Sequence, residues 1–149
     1  MSSARFPTTS SSRKRVALFA GAYNHIADGV ALTLNNLVDY LERRDIPVRV
    51  FAPTVEDPAL DHVGTLIPVP SIPFPGRSEY RCSLGLTPSV RDELEAFDPT
   101  LLQISTPDVL GFQALRYARA NEIPVAGTYH THFASYLKYY NLGVLEPVV

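Results

Sequence analysis

The sequence predicts an α/β domain with a Rossmann-like parallel sheet flanked by helices. Three observations predict it. Short apolar runs alternate along the chain with amphipathic segments, the pattern of repeated βα units. Cap residues stand before the amphipathic segments, at Asp28, Thr87 and Thr106-Pro107-Asp108. The chain has 149 residues, which suits one domain with a sizeable core.

The first apolar run, Val16 to Ala20, reads as a strand covered on both faces, and Gly21 then permits a turn. Val30, Leu34, Leu37, Val38 and Leu41 line one face of a helix over about Gly29–Arg43, with Asp28 as its N-cap. PVRVFA (47–52) is the second strand, followed by an acidic, polar connection over 54–63 that contains His62. A short strand is expected over Gly64–Val69. An extended loop should then run to about Ser83, because Pro68, Pro70, Pro73 and Pro75 oppose a long helix or an interior strand. Thr87-Pro88 opens a helix carrying Val90, Leu94 and Phe97 inward, closed by Asp98-Pro99. LLQIS (101–105) is a strand, Val109 to Ala118 a helix, and PVAGTY (124–129) a further strand. ASYLKYYNLGVLEPVV reads as a helix broken near Gly143 and a second one beginning. Residues 1–14, rich in Ser and Thr, are expected to be a disordered tail, and 15–149 the domain.

Composition narrows the function. Thirteen basic and fifteen acidic residues give a formal charge of −2, with no basic excess for general nucleic-acid binding. The single cysteine, Cys82, leaves no intramolecular disulfide and suits a reducing cytoplasm. No apolar run reaches the ~18 residues of a membrane-spanning helix, and no secretory h-region follows the N-terminal basic residues. Arg13, Lys14 and Arg15 are the one electrostatic feature there that favours an anionic membrane surface.

Parallel strands present their following loops at one edge of the sheet, where open α/β folds bind ligands. Three loops should therefore converge, gathering Asn24, His25, Asp28, Thr106, Asp108, His130 and His132 into a polar cleft for hydroxyl-rich or phosphorylated ligands. The loop Gly21-Ala22-Tyr23-Asn24-His25-Ile26 lacks the second and third glycines of the dinucleotide fingerprint, and the second strand ends without a ribose-binding acid. Neither a Gly-Lys-Ser/Thr phosphate loop nor a Gly-x-Ser-x-Gly elbow is present. Gly21 reads equally as a plain turn residue. Asp28 reads either as a cap alone or as an acceptor for ligand hydroxyls. His130 and His132 share a face of an extended segment, but no Cys or carboxylate follows to complete a metal site. Tyr136, Tyr139 and Tyr140 are spaced for helix packing as well as for stacking on a sugar. His62, Arg77, Glu79, Tyr80 and Arg81 form either a solvated loop or a lid over an acceptor.

The stretches NHIADGVALTL (24–34), PVPSIPFPGRSEYR (68–81), STPDVLG (105–111) and YHTHFASYLKYYNLG (129–143) together resemble the N-terminal half of family-4 retaining glycosyltransferases. The pattern is similar to that of bacterial lipid-directed mannosyl-, glucosyl- and sulfoquinovosyltransferases. The resemblance implies the N-terminal half of a GT-B fold: an acceptor domain facing, across a cleft, a donor domain that this chain does not contain. It implies hexose transfer from a nucleotide-sugar co-substrate to a glycolipid or saccharide, with the anomeric configuration kept and no metal or other cofactor. Carried onto this chain, His130 matches the histidine at the reaction centre, and Gly21 lies near the donor phosphates. Asp28, Gly29 and Val30 match the loop-to-helix element beside the acceptor. Asn24, His25, Thr106, Asp108, His132, Tyr80 and Arg81 complete the acceptor side.

Two departures stand out. Gly21-Ala22 replaces the Gly-Gly pair common in the family, and the donor-side basic and acidic residues would all lie in the absent domain. The expectation is a cytoplasmic domain inactive without a separately encoded donor half, with Phe74, Arg77 and Arg81 meeting the inner face of the membrane if the acceptor is a lipid. Two other readings stay open: a non-catalytic carbohydrate or lipid-headgroup binding module left by truncation, and half of a sugar-nucleotide epimerase.

Overall fold

The computed structural model describes residues 13–128. Its centre is a five-stranded parallel sheet of β1 (Val16–Phe19), β2 (Val48–Pro53), β3 (Thr65–Val69), β6 (Leu101–Ile104) and β7 (Val125–Gly127), in the order β3-β2-β1-β6-β7. Helices α1 (Gly29–Glu42), α2 (Pro88–Phe97) and α3 (Val109–Ala120) form the connections. The fold class expected from the sequence is the one observed.

Alternation along β1 and β2 divides the core into two layers. Ala17 and Phe19 of β1 join Phe51 of β2 on the face that packs against Val90, Leu94, Leu110 and Ala114 of α2 and α3. Val16, Leu18 and Ala20 join Val48, Val50 and Ala52 on the other face, against Leu34 and Val38 of α1. Phe19 and Phe51 stack with ring centroids 5.0 Å apart. Coverage on both faces explains why β1 reads as an unbroken apolar run. β2 alternates in sequence only because Arg49 lies with its guanidinium 5.4 Å from the Phe97 ring.

The segment from 70 to 83 departs from expectation. Instead of an extended loop, β4 (Ser71–Phe74) and β5 (Arg77–Ser83) form an antiparallel two-stranded ladder. Such a ladder has only edge strands, so Pro73 can sit opposite Arg81 without breaking a neighbouring bond. Pro75 and Gly76 make the turn, with Gly76 at φ 79°. Leu84 N–H closes the base on the Pro70 carbonyl at 2.7 Å.

The chain passes from β1 outward to β2 and β3, then returns to place β6 and β7 on the other side of β1. The order therefore reverses between β1 and β6. In open α/β sheets such a reversal marks the edge, outside the carboxyl ends of the strands, where ligands bind.

Candidate functional site

The loops after β1 and β6 meet at the switch point. Gly21 N–H donates to Thr106 Oγ1 at 2.9 Å, and Ser105 Oγ donates to the Phe19 carbonyl at 2.8 Å. Helix α3 can come this close because Gly111 has no side chain: a Cβ there would stand 2.2 Å from the Thr106 carbonyl oxygen. The Gly21 amide, the group that would approach donor phosphates, is thus engaged within the fold.

Both expected aspartates are helix caps. Asp28 Oδ1 accepts from Ala31 N–H at 2.8 Å, and Asp108 Oδ1 from Gly111 N–H at 2.7 Å. Burial raises the Asp108 pKa, and the Gly111 amide bond partly opposes that. A phosphate would ordinarily use such helix N-termini. At this edge α1 and α3 each end on a carboxylate. Gly29, the first residue of α1, is exposed with open space around it.

The loop after β1 is anchored by a buried polar network that sequence reading does not anticipate. Tyr23 is fully buried, and its hydroxyl donates to the Val63 carbonyl at 2.7 Å. Asn35, on the inner face of α1, donates to the Tyr23 carbonyl at 3.0 Å and accepts from Val63 N–H at 2.8 Å. The Asn24 carbonyl accepts from the amides of Ala59 and Leu60, and its side-chain amide meets His62 Nδ1 at 3.1 Å. These bonds pin residues 23–25 against the connection between β2 and β3.

That anchoring places His25 on the wall of a cleft of about 760 Å³ between the β2–β3 connection and the hairpin. Thr54, Glu56, Asp57, Glu79 and Arg81 share the wall. His25 is only 8% exposed, with both ring nitrogens shut off from solvent beside the Pro53 carbonyl. Burial, with Arg81 acting in the same sense, lowers its pKa from 6.5, against the opposing pull of the Pro53 carbonyl and Asp28. It is therefore neutral at pH 7, with one donor and one acceptor nitrogen. Arg81 is held by Ser71, through Nε to Oγ at 3.0 Å and a terminal N–H to the carbonyl at 2.9 Å. Arg77 pairs with Glu79 at 3.3 Å.

The expected site residues thus divide. Gly21, Thr106, Asp108 and Asp28 lie at the carboxyl ends of the strands. His25 and Arg81 come together in the cleft, and Asn24 is held by His62 and the 59–60 amides. Tyr80 is 42% exposed, 5.5 Å from the Arg77 guanidinium. His130 and His132, like the tyrosines and helices expected beyond them and residues 1–12 of the tail expected to be disordered over 1–14, lie outside the described residues. Thr54, Val55, Glu56, Asp57 and Ser78 are the wall residues that sequence reasoning missed. The signal was there, since an acidic tract directly after a parallel strand must fall at the carboxyl edge.

A Rossmann-like sheet with a polar cleft at the carboxyl ends of β1 and β2 has the architecture of the open α/β domains that bind small molecules. Within that class, residues 27–149 match the family model described as Glycosyltransferase Family 4. The chain belongs to this family. It is 28% identical over 141 residues to sulfoquinovosyl transferase SQD2 of Arabidopsis thaliana, a match covering 93% of this chain and 28% of that protein. Over 131 residues it is 28% identical to alpha-monoglucosyldiacylglycerol synthase of Streptococcus pneumoniae, covering 88% of this chain and 30% of that one. Over 136 residues it is 30% identical to GDP-mannose-dependent alpha-mannosyltransferase of Mycolicibacterium smegmatis, covering 87% and 36% respectively. The chain spans about a third of the length of these relatives. Among the described residues no helix is long and apolar enough to cross a membrane.

Proposed function

We propose that this chain is the acceptor-binding half of a retaining glycosyltransferase that moves a hexose from a nucleotide-sugar to a glycolipid or saccharide hydroxyl. The observation that carries the reading is the polar cleft between the β2–β3 connection and the hairpin, on a family-4 domain. In this reading the acceptor ring lies against His25, Glu79 and Arg81, with its reacting hydroxyl turned toward the β1 and β6 loops. His130 hydrogen-bonds the transferred sugar near the reaction centre, with His132 beside it, and a donor half supplies the groups that hold the diphosphate. The transfer as proposed uses no divalent metal.

Binding measurements test the division of labour. Thermal unfolding of the purified chain should shift upward with di- and monosaccharide acceptors and stay unchanged with UDP-glucose or GDP-mannose. Stabilisation by the nucleotide-sugars with none from saccharides would contradict the reading.

The proposal extends to peripheral membrane contact through the outer side of the hairpin. Ile72, Phe74 and Tyr80 are 52%, 45% and 42% exposed there, enough apolar area to rest in a bilayer interface. Arg81, expected to meet the same surface, instead turns to Ser71 and the cleft. Co-sedimentation with anionic vesicles, lost on Phe74→Ser with Ile72→Ser, is the expected result.

A further inference from the structure

The sheet leaves one flank open on the face that α2 and α3 cover. Val125 of β7 is in register with Leu102 and turns to that face, because paired residues of neighbouring strands share a side. Leu102 is fully buried there, whereas Val125, on an edge strand, is 38% exposed. Helix α3 is fastened on its other side. Gln113 Oε1 accepts from Leu86 N–H at 2.6 Å, and the Tyr117 ring lies 5.5 Å from the Arg91 guanidinium, so the flank toward α2 is filled. Phe112 and Leu115 point about 100–160° away from those two residues around the helix. Leu115 is half-buried, and Phe112, at 62%, is the most exposed large hydrophobic side chain among the described residues.

Residues 129–149 follow directly from this flank. Thr128 N–H donates to the Ile104 carbonyl at 3.0 Å, and Gln103 Nε2 donates to Thr128 Oγ1, so pairing with β6 holds through residue 128. The β6–α3–β7 unit steps outward with its helix on this face. A further right-handed step from β7 lays the next segment on the same face, beside α3. In that segment Phe133, Tyr136, Leu137 and Tyr140 fall at i, i+3, i+4 and i+7, one face of a helix, with Ser135, Lys138 and Tyr139 on the other.

We infer that residues 133–140 dock as a helix on this flank, with Phe133, Tyr136, Leu137 and Tyr140 covering Phe112 and Leu115 of α3 and Val125 of β7. The tether, residues 129–132, is short, and short links give effective concentrations on the order of millimolar. The attached segment therefore outcompetes a second copy of the chain for the seat. Docking assigns Tyr136 and Tyr140 to packing, leaves Tyr139 outward, and fixes the point from which His130 and His132 extend. The seat is made of apolar side chains and stands whether or not this half binds an acceptor.

Amide hydrogen exchange of the full chain, read by mass spectrometry, tests the docking. Residues 133–140 should exchange about tenfold or more slowly than unstructured chain. Phe112→Asp and Tyr136→Asp should each remove that protection while β1 and β2 keep theirs, and Tyr139→Asp should leave it within about twofold. A spin label at Arg116→Cys, on the exposed side of α3, gives a second reading that needs no disruptive change; Cys82→Ser leaves it the one thiol. The label should broaden the amides of 133–140 in its own chain. It should not broaden them in ¹⁵N-labelled chains mixed with spin-labelled, unenriched ones. Fast exchange over 133–140 in the parent, protection that survives Phe112→Asp, or equal loss with Tyr139→Asp would overturn the inference. Broadening between chains, or protection that rises with protein concentration, would seat a second copy there and overturn it as well.

Discussion

The amide of Gly21 and the hydroxyl of Thr106, 85 positions apart in sequence, are joined by a 2.9 Å hydrogen bond across the switch point of the sheet. It ties the loop that positions His25 to the loop that opens α3. Thr106→Val keeps the shape and removes the acceptor, leaving the Gly21 amide unpaired. The expected loss is about 1–3 kcal/mol of stability, read from urea denaturation, with Thr106→Ser recovering most of it. A Thr106→Val protein as stable as the parent would mean that water replaces the bond.

Gly111 sets how closely α3 approaches that loop. Gly111→Ala forces a methyl group to 2.2 Å from the Thr106 carbonyl, so the helix or the loop must shift. Overpacking of this kind costs about 1–3 kcal/mol, and acceptor binding should weaken with it. Differential scanning calorimetry and saccharide titration of the same variant check both effects.

His25 makes stability depend on pH in a direction that can be stated. Its folded pKa lies below 6.5, so the unfolded chain binds the proton more readily. Its contribution is fully present above pH 6.5 and is lost as pH falls through the folded value. An NMR titration of its ring should give a midpoint below 6.5, and saccharide affinity should fall as the ring is protonated. A midpoint above 6.5 would contradict the burial argument.

Asp108 has the opposite linkage. Burial raises its folded pKa above 3.8, so stability declines as pH climbs from 3.8 through the raised value. Asn caps a helix about as well as Asp, so Asp108→Asn should flatten that part of the pH–stability curve. At neutral pH its stability should stay within about 1 kcal/mol of the parent. Denaturation series across the acidic range would show it.

The sheet and its three helices were legible because their signals are local. Val16 to Ala20 fits a buried strand, and the spacing of Val30, Leu34 and Val38 fits one helical face. Asp28 and Asp108 marked helix starts in the sequence and are N-caps in the structure. The hairpin was illegible because its prolines carry the opposite local signal. An isolated two-stranded ladder tolerates Pro73 where an interior strand would not. The cleft was half legible for a related reason. His25 and Arg81 stood out as chemistry, whereas Glu56 and Asp57 looked like loop solvation until the hairpin folded over against them. Asn35 gave no signal, since a polar residue on the inner face of a helix becomes meaningful only when Tyr23 and Val63 are known to lie beside it.

Joining this chain to a donor-binding half tests the central claim most directly. The donor half of the GDP-mannose-dependent mannosyltransferase relative would be fused after residue 149, and the product of GDP-mannose with neutral saccharide and glycolipid acceptors analysed by NMR. The account predicts α-linked mannosyl product, made by the joined protein, reduced at least tenfold by His130→Ala, and made by neither half alone. A joined protein that binds GDP-mannose yet transfers nothing, while the parent relative transfers under the same conditions, would contradict it.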